Sequence, residues 1–118
     1  MAADYKLIPA DMLDEATKIA RVLGNKTRIQ ILYLLEQDKL NVTELQGILG
    51  IEQSALSHQL QELRAYQLIN QERKGKSIYY ELTDLHILTT VNSILHHTEH
   101  VLLNRDHDGK LLKNDITE

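Results

Sequence analysis

The chain has 118 residues, the size of one small domain, and a formal net charge of −4. It contains no cysteine, which excludes a disulfide framework, a thiolate metal site and a thiol nucleophile. No apolar run approaches the ~20 residues that cross a bilayer, and no signal peptide is evident, so we expect a cytoplasmic protein without a membrane partner.

Two helices are predicted in the first third of the chain. Apolar residues from Met12 to Leu23 follow helical spacing after Pro9, and Gly24 ends the run. Asn25 is a good N-cap for a second helix. The apolar positions of that helix repeat every three residues and are Ile29, Leu32 and Leu35.

A short helix, a tight turn and a second short helix follow, which is the order of a helix-turn-helix motif. A turn at residues 39–41 leads into a helix that Asn41 or Thr43 caps and Gly50 closes. The second helix covers residues 53–66. Its predicted core positions are Leu56, Leu60 and Leu63.

The pattern then changes to two β-prone runs, residues 68–73 and 77–82, which flank Gly75. A hairpin directly after the second short helix makes the wing of a winged helix. Asp84 or its neighbour Thr83 then caps a long last helix that ends near Asn104.

These elements predict a mainly α protein with a β-hairpin, a winged helix-turn-helix. The long flanking helices carry apolar faces that so small a domain cannot bury alone, so we expect a homodimer formed through the N- and C-terminal helices. The predicted divisions are an N-terminal arm at 1–9, a DNA-binding and dimerisation domain at 10–103, and a polar C-terminal tail at 104–118.

The second short helix begins with small and amide side chains, which suit a helix that enters the major groove of DNA. Glutamine can pair with adenine, and serine can donate or accept at several base edges. The predicted base-facing residues are Gln53, Ser54, Ala55, Ser57, His58 and Gln59. The alternative is an ordinary solvated helix face, but the hairpin that follows favours groove reading.

The hairpin tip carries three basic residues, Arg73, Lys74 and Lys76, which we expect to contact phosphates. A solvated turn is the alternative. The acidic net charge does not exclude double-stranded DNA as a partner, because residues 26–83 hold seven basic and seven acidic side chains. The excess acid lies on both sides of that region.

The predicted last helix is rich in groups that bind metals: Asp84, His86, His96, His97 and His100. At ~100° per residue, His86, His97 and His100 share one stripe, and His96 points elsewhere. His86 and His97 are nevertheless about 16 Å apart along the helix axis, too far for one metal ion with bonds of ~2.1 Å.

Two copies of the helix can bring these distant groups together. The two helices can pair antiparallel about a two-fold axis near Val91 and Asn92. Asp84 and His86 of one chain then meet His97 and His100 of the other. The pairing creates two identical sites per dimer, each with three imidazoles and one carboxylate, which suit tetrahedral Zn²⁺ or Co²⁺. A row of solvated histidines is the alternative.

Over roughly residues 10–103 the sequence resembles the ArsR/SmtB family of metal-sensing winged-helix repressors, and most of all its CzrA-type zinc sensors. The matching segments are residues 23–29, 53–60 and 73–80, with Asp-x-His at 84–86 and His-x-x-His at 97–100. The resemblance implies a repressor that binds its operator when metal-free and leaves it when Zn²⁺ or Co²⁺ binds across the C-terminal helices.

Members of this family differ in the residues that they use as metal ligands. Some members use cysteines beside the third helix, and residues 40–45 contain none, so that site is missing. Nickel sensors add ligands from the chain termini, and the tail offers Asp106, His107 and Asp108, so Ni²⁺ stays an alternative. The family further suggests that a carbonyl near Gln67 accepts a hydrogen bond from His97.

Two alternative functions give the metal a different role. A constitutive DNA-binding protein could use the zinc only as a structural staple. An enzyme is not expected, because four protein ligands close the tetrahedron and the sequence shows no separate nucleophile and base.

Overall fold

The computed structural model describes residues 4–103, which form two compact units that meet in sequence between Thr83 and Asp84. The predicted tail at 104–118, with its three candidate nickel ligands, lies outside the described residues. The elements are α1 (Ala10–Leu23), α2 (Lys26–Gln37), β1 (Leu40–Asn41), α3 (Val42–Leu49), α4 (Gln53–Ala65), β2 (Ile69–Lys74), β3 (Ser77–Leu82) and α5 (Leu85–Leu103). No helix in the described part has the length and apolar character needed to cross a membrane.

Local capping chemistry sets the ends of α2 and α3. The side chain of Asn25 accepts a hydrogen bond from the backbone N–H of Arg28, over 3.0 Å. Asn41 and Glu44 form a reciprocal capping box at the start of α3. Gly50 follows α3 in the left-handed conformation, with φ at 66°. The predicted helix starts at Asn25 and Asn41 and the predicted stop at Gly50 are confirmed.

The core of the first unit is built mainly from leucines and isoleucines of α2, α3 and α4. The three predicted core residues of α4 are at most 2% exposed: Leu56, Leu60 and Leu63. Burial of each such side chain contributes about 1.5–3 kcal/mol. In α2 the buried residues are Ile31, Leu32 and Leu35, while Ile29 is half-buried, so the apolar repeat of three does not by itself define the buried side of the helix. With 3.6 residues per turn, Ile31 shares the inward side with Leu35.

The sheet of the first unit has three antiparallel strands in the order β1-β3-β2, one strand more than the predicted hairpin. Leu40 and Asn41 pair with Tyr80 and Tyr79 of β3. The prediction of a turn at residues 39–41 is therefore wrong for Leu40 and Asn41. A two-residue strand is too short to show alternation, and its partner lies far along the chain.

The hairpin of β2 and β3 is confirmed. Its register runs from Ile69 opposite Leu82 to Lys74 opposite Ser77, which leaves a two-residue loop. Gly75 opens that loop with φ at 63°, a conformation that glycine adopts at no steric cost.

Candidate DNA-reading surface and candidate metal ligands

The N-terminal part of α4 presents an exposed polar face. The exposed predicted base-facing residues are Gln53, Ser54, Ala55, Ser57 and His58, whereas Leu56 is fully buried. Glu52 at the N-cap of this helix makes no side-chain hydrogen bond to the first backbone N–H groups, which can therefore meet an anion such as a phosphate. The structure thus exposes five of the six residues along one short stretch of helix.

Gln59, the sixth residue, is half-buried, and its side-chain oxygen is already used inside the protein. Nη1 of Arg28 donates to Oε1 of Gln59 over 2.8 Å. Nε of Arg28 donates to the backbone carbonyl of Val22, in the last turn of α1. Arg28 therefore connects α1, α2 and α4. Nothing in the local sequence pattern around Arg28 indicates contacts with residues this far along the chain.

The basic residues of the hairpin differ in their surroundings. Nζ of Lys74 lies 3.7 Å from a carboxylate oxygen of Glu72 and 5.9 Å from the ring centre of Tyr79. Arg73 and Lys76 are exposed, and neither has an ion pair among the described residues. These two cations are the more available for phosphate contact.

Asp84 and His86 lie together at the start of α5. Oδ1 of Asp84 accepts hydrogen bonds from the backbone N–H groups of His86, over 2.9 Å, and of Ile87, over 3.4 Å. The same oxygen lies 3.5 Å from Nδ1 of His86. The His86 side chain is 95% exposed. The carboxylate thus caps the helix, as predicted, and also places a second metal-binding group beside the imidazole.

His97 and His100 lie near the other end of α5 and are exposed. Among the described residues of one chain, no three or more histidine, aspartate or glutamate side chains are grouped so that they could hold a metal ion. One protomer therefore holds the predicted ligands as two separate pairs, as the axial distance along one helix requires.

His96 was expected to point away from the predicted ligands. The structure corrects this for one of them, because the rings of His96 and His100 are in contact, with centroids 5.0 Å apart and planes at 81°. Four residues separate the two histidines, which places them about 40° apart on the helix.

The fold and the exposed polar helix define a winged helix-turn-helix protein. Residues 25–71 match the model of the arsR family of bacterial regulatory proteins, and the chain belongs to that family. Over 83 residues it is 40% identical to the HTH-type transcriptional regulator NmtR of Mycobacterium tuberculosis, covering 70% of this chain and 69% of that protein.

Two further similarities agree with this membership. The transcriptional repressor SmtB homolog of Synechocystis is 30% identical over 90 residues, which cover 74% of this chain and 68% of that protein. Among solved structures, that of the antimony-specific transcriptional repressor AntR superposes with a TM-score of 0.71 and 31% identity. The superposition covers 81% of this chain and 87% of AntR.

Proposed function

We propose that the protein is a metal-responsive repressor in the cytoplasm. In this proposal a metal-free homodimer binds double-stranded operator DNA, and Zn²⁺ or Co²⁺ binding across the two α5 helices releases it. The observation that carries the proposal is the division of four exposed ligands into two pairs at opposite ends of α5: Asp84, His86, His97 and His100.

The donor set fits a borderline divalent cation. Three imidazoles and one carboxylate, two from each protomer, would complete a tetrahedral site, and the two-fold symmetry makes two sites per dimer. When bound, the ion would join the two protomers in one relative orientation. Asp84 is suited to this because its helix-capping hydrogen bonds use Oδ1 and leave Oδ2 for a ligand.

The pattern of exposure along α5 supports an antiparallel pair. On a regular helix Val91 lies about 140° from His86, and it is only 2% exposed. The ligand stripe between the two pairs instead carries Thr90 and Ser93, both exposed. We therefore propose that the two-fold axis of the dimer crosses α5 at the height of residues 91–92. Thr90 and Ser93 then face the partner helix at this height.

DNA binding in this proposal uses the exposed start of α4 for base contacts, and Arg73, Lys74 and Lys76 for phosphates. Two such helices must lie about 34 Å apart to enter successive major grooves. If metal binding favours a dimer with another spacing, it weakens DNA binding, and DNA weakens metal binding by the same factor.

The test is operator binding measured by fluorescence anisotropy, with DNA selected from a random library by the metal-free protein. We expect Zn²⁺ to raise the Kd for DNA by about 5–150-fold, the usual range of such coupling. His97→Ala should abolish this effect, and Glu99→Gln, an exposed change on the same helix, should preserve it. Parallel titrations with Co²⁺ and Ni²⁺ compare the metals.

Unchanged DNA affinity with Zn²⁺ would overturn the proposal. If the metal-free protein selects no DNA from the library and the Zn²⁺-loaded protein does, the metal is instead a structural part of a constitutive DNA-binding protein.

A further inference from the structure

α5 contains a second pair of metal-binding groups, which lies within one protomer. His96 and His100 are both exposed, and their ring centroids are 5.0 Å apart. They are four residues apart, and side chains at this spacing are neighbours on the surface of a helix. The proposed function uses His100 but gives no role to His96.

Two histidines at this spacing on a helix are a known way to chelate a divalent metal. Metal–nitrogen bonds of ~2.0–2.1 Å require the two ligating nitrogens to approach to about 3 Å. Because both rings are exposed, rotation of their side chains can reach that distance without a change in the backbone.

We propose that His96 and His100 form a metal-binding pair within a single protomer. The ligand is a divalent cation that prefers imidazole nitrogen, and Cu²⁺ should bind more tightly than Zn²⁺. The described residues supply no third histidine, aspartate or glutamate in position to complete the site. Among the described residues these two imidazoles are therefore the ligands of the ion, and water can fill further positions of the tetragonal geometry that Cu²⁺ prefers.

The consequence for regulation rests on the proposed function, because His100 also belongs to the site between protomers. An imidazole that ligates an ion in the His96–His100 pair is not free for the other site. Cu²⁺ in this pair contacts one protomer only and does not join the two. Occupation of the His96–His100 pair therefore competes with ligation of His100 in the site between protomers.

The first experiment uses the full chain with His86→Ala and His97→Ala, which removes two exposed ligands of the site between protomers. Substoichiometric Cu²⁺ is added, and paramagnetic broadening of the ¹⁵N-labelled imidazole signals is measured by NMR. We expect the signals of His96 and His100 to broaden before that of His58, the lone histidine of α4. Equal broadening of the His58, His96 and His100 signals, three of the four imidazole signals in this variant, would overturn the inference.

The second experiment adds His96→Gln to this background and measures Cu²⁺ affinity by competition with a chelator. Loss of one of two chelating groups should weaken binding by about tenfold or more. His58→Gln is the matched control and should leave the affinity unchanged. If His96→Gln leaves the Cu²⁺ affinity unchanged, His96 and His100 do not form a metal-binding pair.

The regulatory consequence is tested in the unmodified chain. Because removal of the pair frees His100, His96→Gln should keep the Zn²⁺ effect on operator binding and should not raise the Zn²⁺ concentration that the effect requires; a higher required concentration would overturn the competition. If the unmodified chain does not respond to Zn²⁺, the proposed function fails. The two copper experiments still decide the His96–His100 pair in that case.

Discussion

The guanidinium of Arg28 donates to the side-chain oxygen of Gln59 over 2.8 Å and joins α2 to the helix that we assign to base reading. The same side chain also donates to the Val22 carbonyl of α1. Because it is part-buried, this arginine orients α4 from within the first unit. The contribution of Arg28 to the free energy of unfolding can be measured separately from any direct contact with DNA.

We predict that Arg28→Ala lowers the free energy of unfolding by about 1.5–3 kcal/mol, since hydrogen bonds from a charged donor are lost. Urea unfolding measures this change. Arg21→Ala, an exposed change at the end of α1, is the control and should have little effect. A double-mutant cycle with Gln59→Ala should show coupling of at least about 0.5 kcal/mol, and additive effects would contradict the direct contact.

The two glycines around the end of α3 should respond to alanine in opposite ways. Gly50 has φ at 66°, where a Cβ is strained, so Gly50→Ala should destabilise the protein by about 1–2 kcal/mol. Gly47 lies within α3, and a Cβ there would meet nothing within 4 Å. Gly47→Ala should stabilise by about 0.5–1 kcal/mol. Thermal unfolding of both variants shows whether Tm falls for Gly50→Ala and rises for Gly47→Ala. Equal shifts of Tm in the two variants would disprove this explanation.

Asp84 caps α5, and the proposed function makes it a metal ligand as well, so the two roles can be tested separately. Asp84→Asn should keep the cap, because asparagine is an equally good N-cap, but remove the charge that binds the metal. Asp84→Ala should lose both and cost about 0.5–2 kcal/mol of stability. Titration with Co²⁺, followed by visible absorption, measures metal binding, and urea unfolding measures the cap. If Asp84→Asn binds Co²⁺ as tightly as the unmodified chain, Asp84 is not a ligand.

Arg73 and Lys76 should each contribute one phosphate contact. The slope of log K against log salt concentration should decrease by about 1 when either residue is replaced by alanine. Lys18→Ala on α1 is the control, and its slope should equal that of the unmodified chain. A slope unchanged by Arg73→Ala or Lys76→Ala would place the DNA elsewhere. Anisotropy titrations at several salt concentrations provide the slopes.

The local features of the fold were accessible from the sequence. Caps at Asn25, Asn41 and Asp84 depend on a side chain that reaches a backbone N–H two or three residues away. The hairpin turn depends on Gly75. The spacing of four residues that brings His96 to His100 was equally present in the sequence.

The sequence by itself determined the order of helices, the hairpin and the division of the proposed metal ligands into two distant pairs. These follow from helical periodicity, capping and turn chemistry, which act over a few residues. Only the tertiary structure decided that Leu40 pairs with Tyr80, that Ile31 is fully buried, and that Arg28 binds Gln59. Such contacts join residues far apart in the chain, and no local pattern records which distant partner a side chain meets.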